Sequence, residues 1–295
     1  MGIDFTGRVA IVTGAGGGLG REHALALAAR GAKVLVNDVG GGAAQAVVDE
    51  ICAAGGQALA NGASVTDFVA VQAMVQQAID AWGRVDVLVN NAGILRDKSF
   101  SKMDVDDFRL VLEVHLMGAV HCCKAVWPQM QAQEYGRIVM TTSSTGLYGN
   151  FGQSNYGAAK LAQVGLMQTL ALEGAKHNIR VNALAPTAHT RMTEGVLPEA
   201  MLAALKPGAV VPALLVLAHE DAPTRTILCA GAGSFEAAHI TLTQGLYLGA
   251  GADVPEQLAA RLAQVTDRQG EQVPGSGMAQ GMAELQKALA AQTSS

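Results

Sequence analysis

Short apolar runs alternate with longer stretches whose apolar positions recur every three to four residues, over most of the chain. The short runs are Arg8–Thr13, Lys33–Asn37, Ala58–Asn61, Val85–Asn90, Arg137–Thr141, Ile179–Leu184 and Thr226–Cys229. They are short and rich in Val, Leu and Ile, so they read as strands buried on both faces. Between them, the patterns over Gly18–Arg30, Ala43–Ala54, Asp67–Trp82, Val105–Gln131, Asn155–His177 and Ala209–His219 predict helices. Such alternation implies an α/β protein with a doubly wound parallel sheet covered on both faces. Right-handed crossovers then gather the C-terminal ends of the strands on one edge. The residues after the first strand, together with Asp38, Asn90, Ser143 and Pro186, all fall at such ends.

Beyond Gly233 the pattern weakens. Thr241–Gly251 is apolar and glycine-rich, Pro255–Val265 reads as a short helix, Gln269–Gly281 as a linker and Met282–Ala291 as a last short helix. The expected organisation is one catalytic domain over 1–250. A helical C-terminal extension over 251–295 then packs on that domain or on a partner subunit, with disorder of the final stretch as the alternative.

Composition excludes several classes. The net charge of −5, with no basic block, argues against a nucleic-acid partner. Half the residues are hydrophobic, yet no unbroken apolar run has the length of a bilayer span, so no membrane association is expected. The richest stretch, Leu161 to Leu172, is interrupted by Gln163 and Gln168 and reads as buried packing or a subunit contact. The four cysteines have no metal-type spacing, so no metal is expected and a reducing compartment fits. No signal peptide is read at the N-terminus and no peroxisomal address at Gln292–Ser295, so a cytoplasmic location is expected.

Two constellations carry chemistry. The first is Thr13-Gly14-Ala15-Gly16-Gly17-Gly18-Leu19-Gly20, between a strand and a helix. A glycine turn there lets backbone N–H groups approach a pyrophosphate, as in a Rossmann-type sheet; a plain tight turn is the alternative. Asp38 ends the second strand, where an acid accepts hydrogen bonds from ribose hydroxyls and repels a 2′-phosphate. With no Arg or Lys in the turn, NAD is expected over NADP. The bland reading of Asp38 is a strand-end turn acid.

The second constellation is Ser143, Tyr156 and Lys160. A helix from Asn155 puts Tyr156 and Lys160 on one face, one turn apart. A phenol beside an ammonium is expected to lean toward phenolate and so to exchange a proton with an alcohol or a ketone, while Ser143 holds the same oxygen. Taken alone, two polar residues one turn apart are a solvated helix face.

These residues resemble the short-chain dehydrogenase/reductase family over roughly Phe5 to Gly233. The glycine pattern falls on Thr13, Gly14, Gly18 and Gly20, the motif after the fourth strand on Asn90-Asn91-Ala92-Gly93, and the catalytic trio on Ser143, Tyr156 and Lys160. The resemblance implies that Lys160 also bonds the nicotinamide ribose, that Leu19, Ser64, Val65, Asn91, Ala92, Gly93 and Pro186 line the dinucleotide site, and that Thr190 bonds the carboxamide or serves a turn. His115 stands where most of the family has Asn, in a distorted helix whose main-chain carbonyl holds a relay water; a packed histidine without a role is the alternative. Many members have an acid near Ala63, and here only Ser64 and the main chain serve the adenine. Ser154 reads as a helix cap.

A closer resemblance is to the (3R)-hydroxyacyl-CoA dehydrogenase region of peroxisomal multifunctional enzyme type 2 and its bacterial stand-alone relatives. It is carried by Asn37-Asp38-Val39-Gly40-Gly41, Leu147–Gln153 and Ala185–Thr193. It implies NAD, a dimeric dehydrogenase unit and 3-hydroxyacyl-CoA substrates; for this chain a homo-oligomer is expected, with dimer and tetramer both open. A bulky apolar alcohol such as a steroid is the second expectation, and a non-catalytic dinucleotide sensor the reading from another class. Arg96, Lys98 and Arg191 are candidate rim cations. Met192, Leu197, Met201 and Leu202 suit a substrate lid or plain packing.

Overall fold

The strand pattern is realised at every expected place. The computed structural model describes residues 2–188 and 204–293. Its strands are β1 (Val9–Thr13), β2 (Lys33–Asn37), β3 (Gln57–Asn61), β4 (Val87–Asn90), β5 (Gly136–Thr141), β6 (Ile179–Thr187), β7 (Ile227–Gly231) and β8 (Ser234–Ala238). They form one sheet in the order β3-β2-β1-β4-β5-β6-β7-β8, parallel except for β8, which returns antiparallel to β7. β8 carries no clean apolar alternation and is mostly exposed, which is why the sequence pattern did not reveal it.

The helices are α1 (Gly18–Ala29), α2 (Gly42–Ala53), α3 (Phe68–Trp82), α4 (Val105–Leu112), α5 (Gly118–Ala132), α6 (Ser144–Tyr148), α7 (Ser154–Gly174) and α8 (Val211–Ala218). They bury the sheet from both sides, as a parallel sheet requires. Successive strand residues feed opposite layers. Ala10 and Val12 join the core under α1, α2 and α8, while Val9 and Ile11 join the core under α3, α5 and α7. The connection from β3 to β4 passes back over β2 and β1, so the order reverses between β1 and β4, the usual position of a ligand crevice in such sheets.

The predicted helix over 105–131 is not regular. A π-helical turn, Glu113–Met117, separates α4 from α5, and Gly118 N–H reaches back to Glu113 O. Such turns widen a helix locally and re-aim its backbone groups. Taken through that turn, Val105–Ala132 is long and apolar enough to cross a membrane by length and composition, which corrects the expectation from unbroken runs. Its apolar face is used inside the fold: Val111, Ala119, Cys122, Cys123, Val126 and Met130 are all buried.

Two compact units divide the chain, 1–238 and 239–295. The division falls twelve residues before the expected 250/251 boundary, because Thr241–Gly251 adds no strand to the sheet and bridges only within the tail, Leu242 to Gln272. The tail unit holds α9 (Val254–Ala260), α10 (Leu262–Val265) and α11 (Gly277–Thr293). α11 begins inside the stretch read as linker, since Gly277–Gly281 forms its first turn.

His23 on α1 is fully buried and neither ring nitrogen has a hydrogen-bond partner among the described residues. Burial lowers its pKa to about 3. The unfolded chain therefore binds a proton that the folded chain refuses, and stability falls as pH drops from the ordinary histidine range toward about 3. The full span is worth on the order of 5 kcal/mol. His115, lowered likewise to about 3, adds in the same direction. Urea unfolding of His23→Leu between about pH 7 and pH 5 is expected to show a shallower loss of stability than the parent. Equal slopes would mean that His23 is not held neutral.

Candidate active site

Thr13 ends β1 with a buried hydroxyl that accepts the N–H groups of Asn91 and Ala92, both at 3.1 Å, and donates to Val89 O at 3.3 Å. The Asn91 amide donates to Thr13 O and Gly14 O, both at 3.0 Å. The loops after β1 and β4 are thus clamped together. Gly14 has φ +61° and a Cβ there would lie 2.7 Å from Ala92 Cα, so only glycine fits. A Cβ on Gly20 would lie 2.3 Å from Gly14 O, so the start of α1 sits directly on the turn. Among the described residues no side chain caps α1. Its first N–H groups and the positive end of its dipole are left to an anion.

These loops border a cleft of about 560 Å³. Gly14, Gly18, Leu19, Gly20, Asp38, Ser64, Val65, Asn91, Ala92 and Gly93 all line it, ten of the residues expected to hold a dinucleotide. Asn37, Val39 and Ala63, which flank the expected residues, line it too, as do Ala43, Ile94 and Val114, which had no sequence signal. Asp38 accepts the Gly16 N–H at 2.8 Å through one oxygen, and a Cβ on Gly16 would collide with that carboxylate. The Ser64 hydroxyl is engaged with Thr66 at 2.8 Å, so it serves the turn. Pro186 lies on β6 opposite Ala230 rather than in the cleft wall. Thr190 lies outside the described residues, as do Arg191, Met192, Leu197, Met201 and Leu202. A glycine cradle that any Cβ would fill, a bare helix N-terminus and an acid at the far end fit a dinucleotide.

Tyr156 and Lys160 lie near the start of α7, and Ser143 follows β5, where it also caps α6 by accepting the Thr145 N–H at 3.2 Å. The Lys160 Nζ is 5.5 Å from the Tyr156 ring centroid. It donates to Thr141 O at 2.5 Å and is almost fully buried. Burial lowers its pKa to about 7. The expected lowering of the phenol is not found. Burial raises Tyr156 above its ordinary value, the Ser143 hydroxyl counters this, and the Asp97 charge adds to the rise. Desolvation is the largest cause, and Lys160 is not among the groups that lower the phenol.

His115 sits on the π turn, edge-on to Tyr156 with centroids 5.2 Å apart. Its Nε2 lies 3.0 Å from Ile94 N and 2.8 Å from Ile94 O. Burial and the Lys160 charge keep it neutral. Its carbonyl accepts the Gln163 amide at 2.8 Å. The imidazole therefore packs the phenol and props the loop after Gly93, where a Cβ would meet it at 2.3 Å.

The short chain dehydrogenase family model matches residues 8–200. The chain belongs to the short-chain dehydrogenase family. As a member it is an oxidoreductase that binds a nicotinamide dinucleotide. Among its relatives is peroxisomal multifunctional enzyme type 2 of Drosophila melanogaster, 52% identical over 228 residues, 74% of this chain and 38% of that protein. The solved full-length structure of that enzyme has a TM-score of 0.82 and 41% identity, over 97% of this chain and 50% of its own. The chain thus spans about half or less of this multifunctional relative. A Mycobacterium tuberculosis protein named as a short-chain type dehydrogenase/reductase is 46% identical over 278 residues, 91% of this chain and 97% of its own. A 7α-hydroxysteroid dehydrogenase, solved with NADH and 7-oxo glycochenodeoxycholic acid, has a TM-score of 0.73 and 33% identity, over 79% of this chain and 96% of its own.

In this short-chain dehydrogenase the wall beside Tyr156 is tied by contacts that the sequence pattern did not reveal. Asn155 is fully buried and donates to Arg96 O at 3.1 Å. Lys98 N–H bonds Gly152 O at 2.9 Å, and Gln153 donates to Asp97 at 2.6 Å. The loop after Gly93 is thereby pinned to the start of α7. Arg96 and Lys98 converge on Asp107, at 3.6 and 3.0 Å. Ser154 does not cap α7: it is the first helical residue, and its hydroxyl contacts the Met103 sulfur at 3.4 Å.

Proposed function

We propose that this chain is an NAD-dependent (3R)-3-hydroxyacyl-CoA dehydrogenase. The observation that carries the catalytic part is the meeting of Ser143, Tyr156 and Lys160 beside a dinucleotide-shaped cleft. In oxidation the Tyr156 oxygen takes the proton of the substrate hydroxyl. Ser143 holds that oxygen, and Lys160 supplies the positive charge that lets the phenol cycle between its two forms. NAD held in the cleft lined by Gly14, Asp38 and Gly93 would supply the hydride acceptor. The thioester part is supported by the 228-residue match to the multifunctional enzyme and by the motif stretches Leu147–Gln153 and Ala185–Thr193. The hydroxysteroid reading stays as the second, supported by the steroid-bound relative.

Kinetics with both enantiomers of 3-hydroxyacyl-CoA esters of graded length, beside hydroxysteroids, test this reading. The (3R) series is expected to react, with kcat/KM rising as each methylene adds up to about 0.8 kcal/mol of burial. Inactivity on every thioester with good steroid rates would overturn the substrate and leave the chemistry.

NAD is proposed over NADP because Asp38 borders the cleft and the turn holds no cation. Asp38→Ala is expected to narrow the affinity gap in equilibrium titrations of both cofactors. Tighter NADP binding by the parent protein would sink the assignment. A homo-oligomer is proposed as well, since Leu161 and Leu172 stay exposed on α7.

A further inference from the structure

We propose that Gln163 is a positioning residue of the active site, whose amide braces the Lys160 ammonium against the carbonyl presented by the π turn and keeps that ammonium charged. Gln163 lies three residues after Lys160 on α7 and is 1% exposed, between Lys160 and the apolar Val164 and Met167. A buried glutamine needs partners for both ends of its amide. Its Nε2 donates to His115 O at 2.8 Å, and its Oε1 lies 3.5 Å from Lys160 Nζ. This orientation is chemically determined. The His115 carbonyl can only accept, so the NH₂ end must face it, which leaves the oxygen for the ammonium.

Among the described residues the ammonium has two acceptors, Thr141 O at 2.5 Å and Gln163 Oε1. Both are neutral dipoles. No carboxylate among the described residues is coupled to it, and burial alone sets its pKa near 7. The titratable groups facing it are Tyr156 on its own helix and His115 on the π turn; β5 offers the Thr141 carbonyl. His115 is neutral, so it neither repels the ammonium nor supplies a negative charge to hold it. With so few groups holding the charge, removing one dipole tips Lys160 toward the neutral amine. The π turn also gains a function, since it delivers the His115 carbonyl to a side chain on another helix.

The consequence for turnover rests on Tyr156 and Lys160 acting as proposed above; the consequence for the charge of Lys160 does not. The test is an NMR titration of the whole chain labelled with ¹³C at lysine Cε, the Lys160 signal being assigned by its loss in Lys160→Arg. Gln163→Leu is expected to lower the midpoint by about one pH unit, and the near-isosteric Gln163→Glu to raise it by about one or more. The pH midpoint of alcohol oxidation should move in the same two directions. Midpoints of both variants within about 0.3 units of the parent would overturn the proposal, and if the Leu variant does not fold, the Glu variant alone decides. Opposite NMR shifts in a protein that oxidises no alcohol would uphold the role of Gln163 and sink the catalytic reading instead.

Discussion

Tyr156→Phe is expected to lower turnover by about 10²–10⁴-fold, the usual worth of a positioned acid/base, while dinucleotide affinity stays close to that of the parent. The change deletes one oxygen and keeps the ring that packs edge-on to His115, so the fold should be undisturbed. Lys160→Ala is the contrast. It removes a buried group bonded to Thr141 O and facing Gln163, and should weaken dinucleotide binding as well as turnover. Steady-state kinetics and a separate dinucleotide titration on the same preparations distinguish the two. Near-normal turnover by Tyr156→Phe would remove the tyrosine from the chemistry.

Gly20→Val should abolish most dinucleotide binding without touching any catalytic side chain. A Cβ at this position would meet Gly14 O at 2.3 Å, the Asn91 amide at 2.5 Å and Ala15 Cα at 2.8 Å. Backbone cannot yield as a flexible side chain does. Either α1 lifts away or the Asn91 clamp opens, and both separate the helix N-terminus from the pyrophosphate position. The cost in stability is about 1–3 kcal/mol, as for other overpacked sites. The loss in affinity is at least about tenfold, or ~1.4 kcal/mol. Gly165→Ala on α7 is the matched control, because nothing lies within 4 Å of its added carbon. It should stabilise the helix by about 0.5–1 kcal/mol and leave binding alone. Calorimetric titration of both variants with NAD measures the difference; equal affinities would show that the close packing of the turn is unimportant.

The parallel sheet was legible because strands buried on both faces must be apolar throughout, and Val9–Thr13 and Lys33–Asn37 show this directly. The glycine turn was legible for an allied reason, since close approaches at Gly14 and Gly20 exclude every side chain. Two features stayed hidden, and a third, the π turn, showed only through the resemblance that placed a distorted helix at His115. β8 is an exposed edge strand, so no apolar alternation marks it. The π turn is a backbone event within an otherwise helical pattern. The pairing of Gln163 with His115 O joins residues far apart in sequence, so only the fold brings them together. Gln163 did leave a trace as a polar interruption of the Leu161–Leu172 stretch. The electrostatics of Tyr156 were misjudged because helical spacing reveals a neighbouring charge but not the burial that outweighs it. The ends of the domains were blurred for a simpler reason: apolar, glycine-rich sequence such as Thr241–Gly251 does not say which neighbour it pairs with, and here it pairs within the tail.

The claim that hydride passes between a secondary alcohol and the nicotinamide at this site is tested most directly by isotope transfer. (3R)-3-Hydroxyacyl-CoA carrying deuterium on the carbinol carbon is incubated with the protein and NAD, and the reduced cofactor is weighed by mass spectrometry. The expected result is a reduced dinucleotide heavier by one deuterium, formed by the parent protein and not by Tyr156→Phe. Reduced dinucleotide without the label, or label released to water, would contradict direct transfer.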